Sequence, residues 1–276
     1  MRVPLLLAAL VLAGGCAAVA RTEAPASAPA AAPAAAHRDG GSAMAAGGYL
    51  PRGAAPDSLL LNPLPPAPGS AAEARDIAAA EATFALQGTP RFAQAAIDAD
   101  LFSPTSTGVF SCAAGFTISP ETTPKVVALM RKVAPDLAMS VYPTKRKFMR
   151  PRPFMMNGKP TCTPKDEPLL RRDGSYPSGH AAIGFGWGLI LAEIVPDRAG
   201  QLAARGRAFA DSRRICNVHW LSDTEEGSLV AAATLARLHA EAAFRADLDA
   251  ARSEVEALRS KLPAPDCARE TAALAG

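Results

Sequence analysis

The stretch "GSYPSGHAAIGFGWGLILAEIV", residues 174–195, decides the fold. Its Tyr-Pro-Ser-Gly start is turn-forming, and Ser178 is a natural N-cap for the apolar run after it. From Ala181 to Ala192 the chain carries twelve uncharged residues before Glu193, enough for a buried helix and too few to span a bilayer. Glycines at 184, 186 and 188 predict that this helix packs closely against its neighbours. His180, one of only four histidines, stands at the mouth of the helix, where a core element has no evident use for it.

Helical signals continue on both sides. Ser70 caps AAEARDIAAAEATFALQ, which should end at Gly88. Ser119, with Pro120 at the first helical position, opens a helix through TTPKVVALMRKVA, and Asp136 starts another that reaches Phe148. Residues 150–177, with six prolines, read as loop. Helices are expected over 197–213 and 220–244, and an Ala/Glu/Arg/Leu-rich segment runs to Leu262. No period-2 strand pattern and no internal repeat is present, and aromatics are only 5% of the chain. The expected fold class is all-α: a single compact helical-bundle domain over residues 70–262 with a C-terminal tail at 263–276.

The N-terminus reads as an export signal, residues 1–20, with Arg2 before an apolar run and an Ala18-Val19-Ala20 cleavage site. A competing reading is a lipoprotein box, Leu12-Ala13-Gly14-Gly15-Cys16, with one glycine too many and a lipid anchor on Cys16. Residues 21–48 are an Ala/Pro/Gly-rich disordered linker by composition, and 49–69 a Pro-rich extended arm. Export with no transmembrane domain is therefore the expectation, the periplasm being the expected destination. Lys plus Arg number 29 against 26 Asp plus Glu, a balance that does not suggest a polymeric nucleic acid as partner, and none is expected. Once the signal is removed, Cys112, Cys162, Cys216 and Cys267 form an even set, which suggests two disulfides with three possible connectivities. No CxxC or Cys/His spacing suggests a zinc site.

Three clusters carry chemistry. Lys145, Arg146, Lys147, Arg150 and Arg152 put five cations within eight residues, either a solvated face or an oxyanion site, with prolines on both sides of Arg152 to stiffen it. Pro177-Ser178-Gly179-His180 offers free backbone N–H groups at a helix start, suited to an anion, and an imidazole that can give up a proton. Ser212-Arg213 leads to His219 and Asp223, spaced i and i+4 so that a carboxylate can orient an imidazole. A surface His–Asp pair is the plain alternative. Metal ligation is another, but it lacks further ligands nearby.

Taken in order, the clusters resemble the three-part phosphatase motif of the type 2 phosphatidic acid phosphatase superfamily. Six residues separate Lys145 from Arg152-Pro153, 23 lead to Pro177-Ser178-Gly179-His180, and 31 more to Ser212-Arg213. Arg150-Pro-Arg-Pro-Phe154, Gly174-Ser-Tyr-Pro-Ser-Gly-His180 and Ser212-Arg-Arg-Ile-Cys216 further resemble bacterial class A non-specific acid phosphatases, all-helical relatives of the vanadium haloperoxidases. The resemblance implies an exported phosphate monoesterase of broad specificity that needs no metal or other cofactor. It implies His219 as the nucleophile forming a phosphohistidine, Asp223 as its orienter, and His180 as general acid and then base. Lys145, Arg152, Ser178, Gly179 and Arg213 would hold the phosphoryl oxygens, and phosphate monoesters and inorganic phosphate would be the ligands. Asn217 replaces a glycine common in that family, and asparagine also tolerates a left-handed turn. Cys162 and Cys216 lie close to motif residues, which favours Cys162–Cys216 and Cys112–Cys267. A vanadate-dependent haloperoxidase and a non-catalytic envelope anion-binding module are the alternatives. The physiological substrate and a homo-oligomeric state are left open.

Overall fold

Ser178 does cap the helix that the sequence centres on: its Oγ accepts the Ala181 N–H at 3.2 Å, and the helix runs Gly179–Ile194. The computed structural model describes residues 47–275. The signal peptide, the lipid-anchor alternative on Cys16 and nearly all of the proposed linker lie outside the described residues. Among the described residues, nine helices are seven residues or longer: α1 (Ala71–Glu81), α2 (Pro90–Asp98), α3 (Pro124–Ser140), α4 (Tyr142–Phe148), α5 (Gly179–Ile194), α6 (Ala199–Ile215), α7 (Leu221–Leu238), α8 (Ala242–Leu258) and α9 (Ala268–Leu274). Shorter helical turns fill the connections, and the described residues contain no strand. Among them no helix is long and apolar enough to cross a membrane.

Helix α5 is the axis of the core, with Ile183, Trp187, Ile190 and Leu191 all buried. Its glycines set the packing distance. A methyl group at Gly184 would run into the Phe209 ring of α6, and one at Gly188 would come within 2.8 Å of the Leu202 carbonyl oxygen. Gly186 faces the other way, where a Cβ would lie 2.6 Å from Leu137 of α3. Trp187 fills the junction, edge-on to Phe110 and Phe209, and its indole N–H is satisfied by the Met130 carbonyl at 2.7 Å.

Several boundaries differ from those expected of the sequence. Helix α1 stops at Glu81 rather than near Gly88, and Thr83 Oγ1 turns back onto the Ala80 carbonyl at 2.6 Å, competing with continued helix. Helix α2 is an addition to the expected set, although Thr89 before Pro90 is a helix-start signature. Ser119 caps no helix. Its Oγ is spent on the Glu121 and Thr122 N–H groups, and α3 begins at Pro124 instead. No break occurs at Asp136. Helix α3 continues through Pro135, and the Asp136 carboxylate accepts the Tyr49 and Leu50 N–H groups at 2.7 and 3.2 Å.

The stretch expected as loop holds helical turns at Pro153–Asn157 and Glu167–Leu170, and the arm holds one at Ser58–Leu61. The segment expected over 220–244 divides at Leu238, and α8 restarts at Ala242, so that Phe244 can pack on Tyr49 and His239. The C-terminal tail contains α9, tied to the body by Cys112–Cys267 and by Glu270 on Arg205 at 3.2 Å. The second disulfide is Cys162–Cys216, with Cα atoms 4.7 Å apart.

Candidate active site

His219 sits in the tight connection between α6 and α7. Helix α6 ends at Ile215, and Asn217 makes the left-handed step at φ 60° that reverses the chain. The Asn217 amide also bonds Asn157 and the Lys159 carbonyl at 2.9–3.0 Å, which a glycine could not do. Asp223, in the first turn of α7, reaches back to accept the Trp220 N–H at 2.8 Å and so fixes the helix start. The same oxygen lies 3.3 Å from His219 Nδ1. On the opposite side of the ring, Nε2 is 3.0 Å from Arg152 Nη1. A guanidinium can only donate, so Nε2 carries the lone pair and Nδ1 the proton that points to Asp223. Burial, and then Arg152, Lys145 and Arg213, hold His219 well below the ordinary imidazole range. The ring is therefore neutral, with its lone pair turned toward the cations.

Asp223 is fully buried, and burial pushes its carboxyl upward. Arg150 opposes that shift through Nη1, 2.8 Å from Oδ1. Arg150 is itself held by Asp76, buried on α1, through Nη2 at 2.7 Å. Asp76 also accepts the Ser222 N–H and hydroxyl at 2.8 and 2.6 Å. The orienting carboxylate thus rests on a guanidinium and a second carboxylate.

The basic cluster splits. Arg146 and Lys147 are exposed, as a solvated face would be, while Lys145 and Arg152 are 3% and 1% exposed. Lys145 Nζ donates to the Gly174 carbonyl at 2.5 Å, and Arg152 donates to the carbonyls of Leu170, Asp173, Val218 and Gly174 at 2.9–3.3 Å. Burial and Arg152 lower the Lys145 pKa to about 8, so it is cationic at neutral and acid pH. Arg213, on the last turn of α6, is equally buried, and its Nε and Nη1 have no hydrogen-bond partner among the described residues. Burial and Arg152 lower its pKa to about 9.

Ser178, Gly179 and His180 close the site from the α5 end. The Ser178 N–H is bonded to the Asp223 carbonyl at 2.9 Å, which ties this turn to α7. Among the described residues the Gly179 and His180 N–H groups have no acceptor, as expected at a helix start. His180 Nε2 lies 3.2 Å from the Ala99 carbonyl oxygen. A carbonyl only accepts, so Nε2 carries a proton and Nδ1 is the nitrogen left for chemistry. Enclosure by protein, with Arg213, Arg152 and Lys145, holds His180 well below the usual imidazole range. His180 and His219 thus stand near three buried cations, Lys145, Arg152 and Arg213, while Arg146 and Lys147 of the basic cluster lie on the exposed surface.

The PAP2 superfamily model matches residues 127–245, a span that includes every one of these residues except Asp76 and Ala99. An acid phosphatase of Zymomonas mobilis is 38% identical over 210 residues, covering 76% of this chain and 80% of that protein. The chain belongs to the PAP2 superfamily. Within it, non-specific acid phosphatases of Providencia stuartii, 38% identical over 76% of this chain and 86% of theirs, and of Salmonella typhimurium, 40% identical over 70% and 78%, place it with the bacterial class A acid phosphatases.

Three residues of this acid phosphatase site make contacts that the sequence pattern did not assign to them. Arg150 stands within the Arg150–Phe154 motif without an assigned partner. Asp76 lies in an Ala-rich helix that offers no signal. Gly227, in the second turn of α7, is the third. A Cβ there would collide with the backbone carbonyl of Ser178, and backbone cannot swing aside. Gly227→Ala is therefore expected to push α7 away from the Ser178 turn, lowering stability by about 1–3 kcal/mol. It should lower turnover more than a surface change of equal stability cost. Thermal melting beside kcat checks this, and an unchanged kcat would show that the turn tolerates the shift.

Proposed function

We propose that this acid phosphatase hydrolyses phosphate monoesters of broad specificity through a phosphohistidine on His219, without a metal, in the periplasm. The observation that carries the reading is Arg213. A buried guanidinium with two nitrogens unpartnered among the described residues, beside Lys145, Arg152 and a neutral His219, suits an oxyanion with several oxygens.

In the first displacement His219 Nε2 attacks phosphorus as its bond from Arg152 Nη1 passes to a phosphoryl oxygen. The ester P–O bond breaks, and His180 Nδ1 protonates the departing alkoxide. In the second, water attacks phosphorus on the face the alkoxide left, giving its proton to His180, and the P–N bond breaks to restore His219. Asp223 holds the Nδ1 proton throughout, so the nitrogen bearing the phosphoryl group is always Nε2. Charge on the equatorial oxygens falls to Lys145, Arg152, Arg213, the Ser178 hydroxyl and the Gly179 N–H. Two disulfides and the signal-like N-terminus support export. The test is hydrolysis of p-nitrophenyl phosphate and of an alkyl phosphate in excess EDTA. Activity should persist; loss in EDTA with recovery on adding a divalent metal would overturn the metal-free mechanism.

A further inference from the structure

The Asp173 carboxylate makes contacts that neither displacement uses. Its Oδ2 lies 3.0 Å from Arg152 Nη2 and 3.2 Å from Lys145 Nζ. One oxygen bridging a guanidinium and an ammonium is the arrangement a phosphoryl oxygen would make with the same pair. We propose that Asp173 is an internal anion that competes with phosphate for Lys145 and Arg152, and so sets how tightly the site holds its product. The inference rests on the phosphate reading of this pocket.

Donor accounting separates this role from a purely structural one. Backbone carbonyls already hold both cations: Gly174 takes Lys145, and Leu170, Asp173, Val218 and Gly174 take Arg152. The carboxylate is not needed to fix either group. With His219 Nε2 and Asp173 Oδ2 added, all five N–H bonds of Arg152 are engaged by protein. Arg152 can therefore meet a phosphoryl oxygen only by releasing a partner it now holds, and the imidazole and the carboxylate are the two side chains among those partners.

Asp173 is also the member of the group that can leave. Its side chain is 31% exposed, against 3% and 1% for the two cations it touches. Its backbone is anchored, the carbonyl by Arg152 Nε at 3.0 Å and the N–H by Leu170 at 3.3 Å, so only the side chain has to swing toward water. Three buried cations facing a phosphate dianion would otherwise bind product tightly and release it slowly. A displaceable carboxylate lowers that affinity.

The experiment compares wild type, Asp173→Asn and Asp173→Ala. It measures the competitive inhibition constant of inorganic phosphate against p-nitrophenyl phosphate, together with phosphate binding by titration calorimetry. Phosphate should bind about tenfold more tightly to the alanine variant, the scale of one partly exposed ion pair, with asparagine between it and wild type. KM should fall in the same order. Should the alanine chain not fold, Asp173→Ser gives the same readout. Unchanged or weaker phosphate binding in the variants would overturn the inference and make Asp173 an orienting group for the cations. A wild-type protein that neither binds phosphate nor hydrolyses the ester would instead sink the phosphatase mechanism itself.

Discussion

His219→Ala is expected to lower kcat on an aryl phosphate by about 10⁵-fold, about 7 kcal/mol of transition-state stabilisation. The size reflects its place in the site. Nε2 presents its lone pair to the cationic pocket, and its orientation is set from both sides, by Asp223 at Nδ1 and Arg152 at Nε2. His180 does not take its place, because its Nε2 is tied to Ala99 on another helix end and its remaining Nδ1 is the proposed acid and base. The loss should be chemical rather than structural. Without the imidazole, Arg152 Nη1 keeps the Val218 carbonyl, and Asp223 keeps Arg150 and the Trp220 N–H. Thermal melting should shift little, phosphate should still bind, and rapid quenching with labelled substrate should trap an acid-labile phosphoenzyme in wild type and none in the variant. A variant that retains appreciable turnover would rule out the phosphohistidine route.

The difference between what the sequence disclosed and what it concealed tracks the range of the interactions. His180, His219 and Asp223 were legible because their signals are local: a helix start at α5, and an i, i+4 pair at the start of α7. The glycines of α5 also announced close packing, since nothing else explains three in a buried helix. Asp76 acts across the molecule, from an Ala-rich helix whose local pattern gives no reason for a buried acid. Asp136 misled for the same reason. It resembles a helix start but is spent on the Tyr49 and Leu50 N–H groups of a segment remote in sequence. Asp173 reads as an ordinary turn residue until the two cations are seen on its oxygen. Tertiary partners decide these residues, and no window along the chain contains them.

His180→Ala should separate the two halves of the reaction. As general acid its removal should cost about 10³-fold in kcat for an alkyl phosphate, and less for p-nitrophenyl phosphate, whose leaving group departs as a stable anion. The second half is different, because attack by water needs the base whatever group has left. The aryl substrate should therefore give a burst of nitrophenolate and then a stall, with phosphohistidine accumulating on His219. A variant that turns over the aryl ester steadily, with no burst, would assign the base to another group. The pH profile gives an independent check. In the free protein Arg213, Arg152 and Lys145 add to burial in depressing the His180 pKa, so its acid form is lost as pH rises through a value below the usual imidazole range. A bound phosphoryl dianion offsets those cations and returns the pKa upward. The alkaline limb of kcat, set by the complex, should therefore lie at higher pH than that of kcat/KM, set by the free enzyme, and phosphate binding between the two should take up a proton. In His180→Ala the proton uptake should vanish while phosphate still binds. That outcome would tie proton delivery in this site to one imidazole held low by burial and by the cations proposed to hold the substrate.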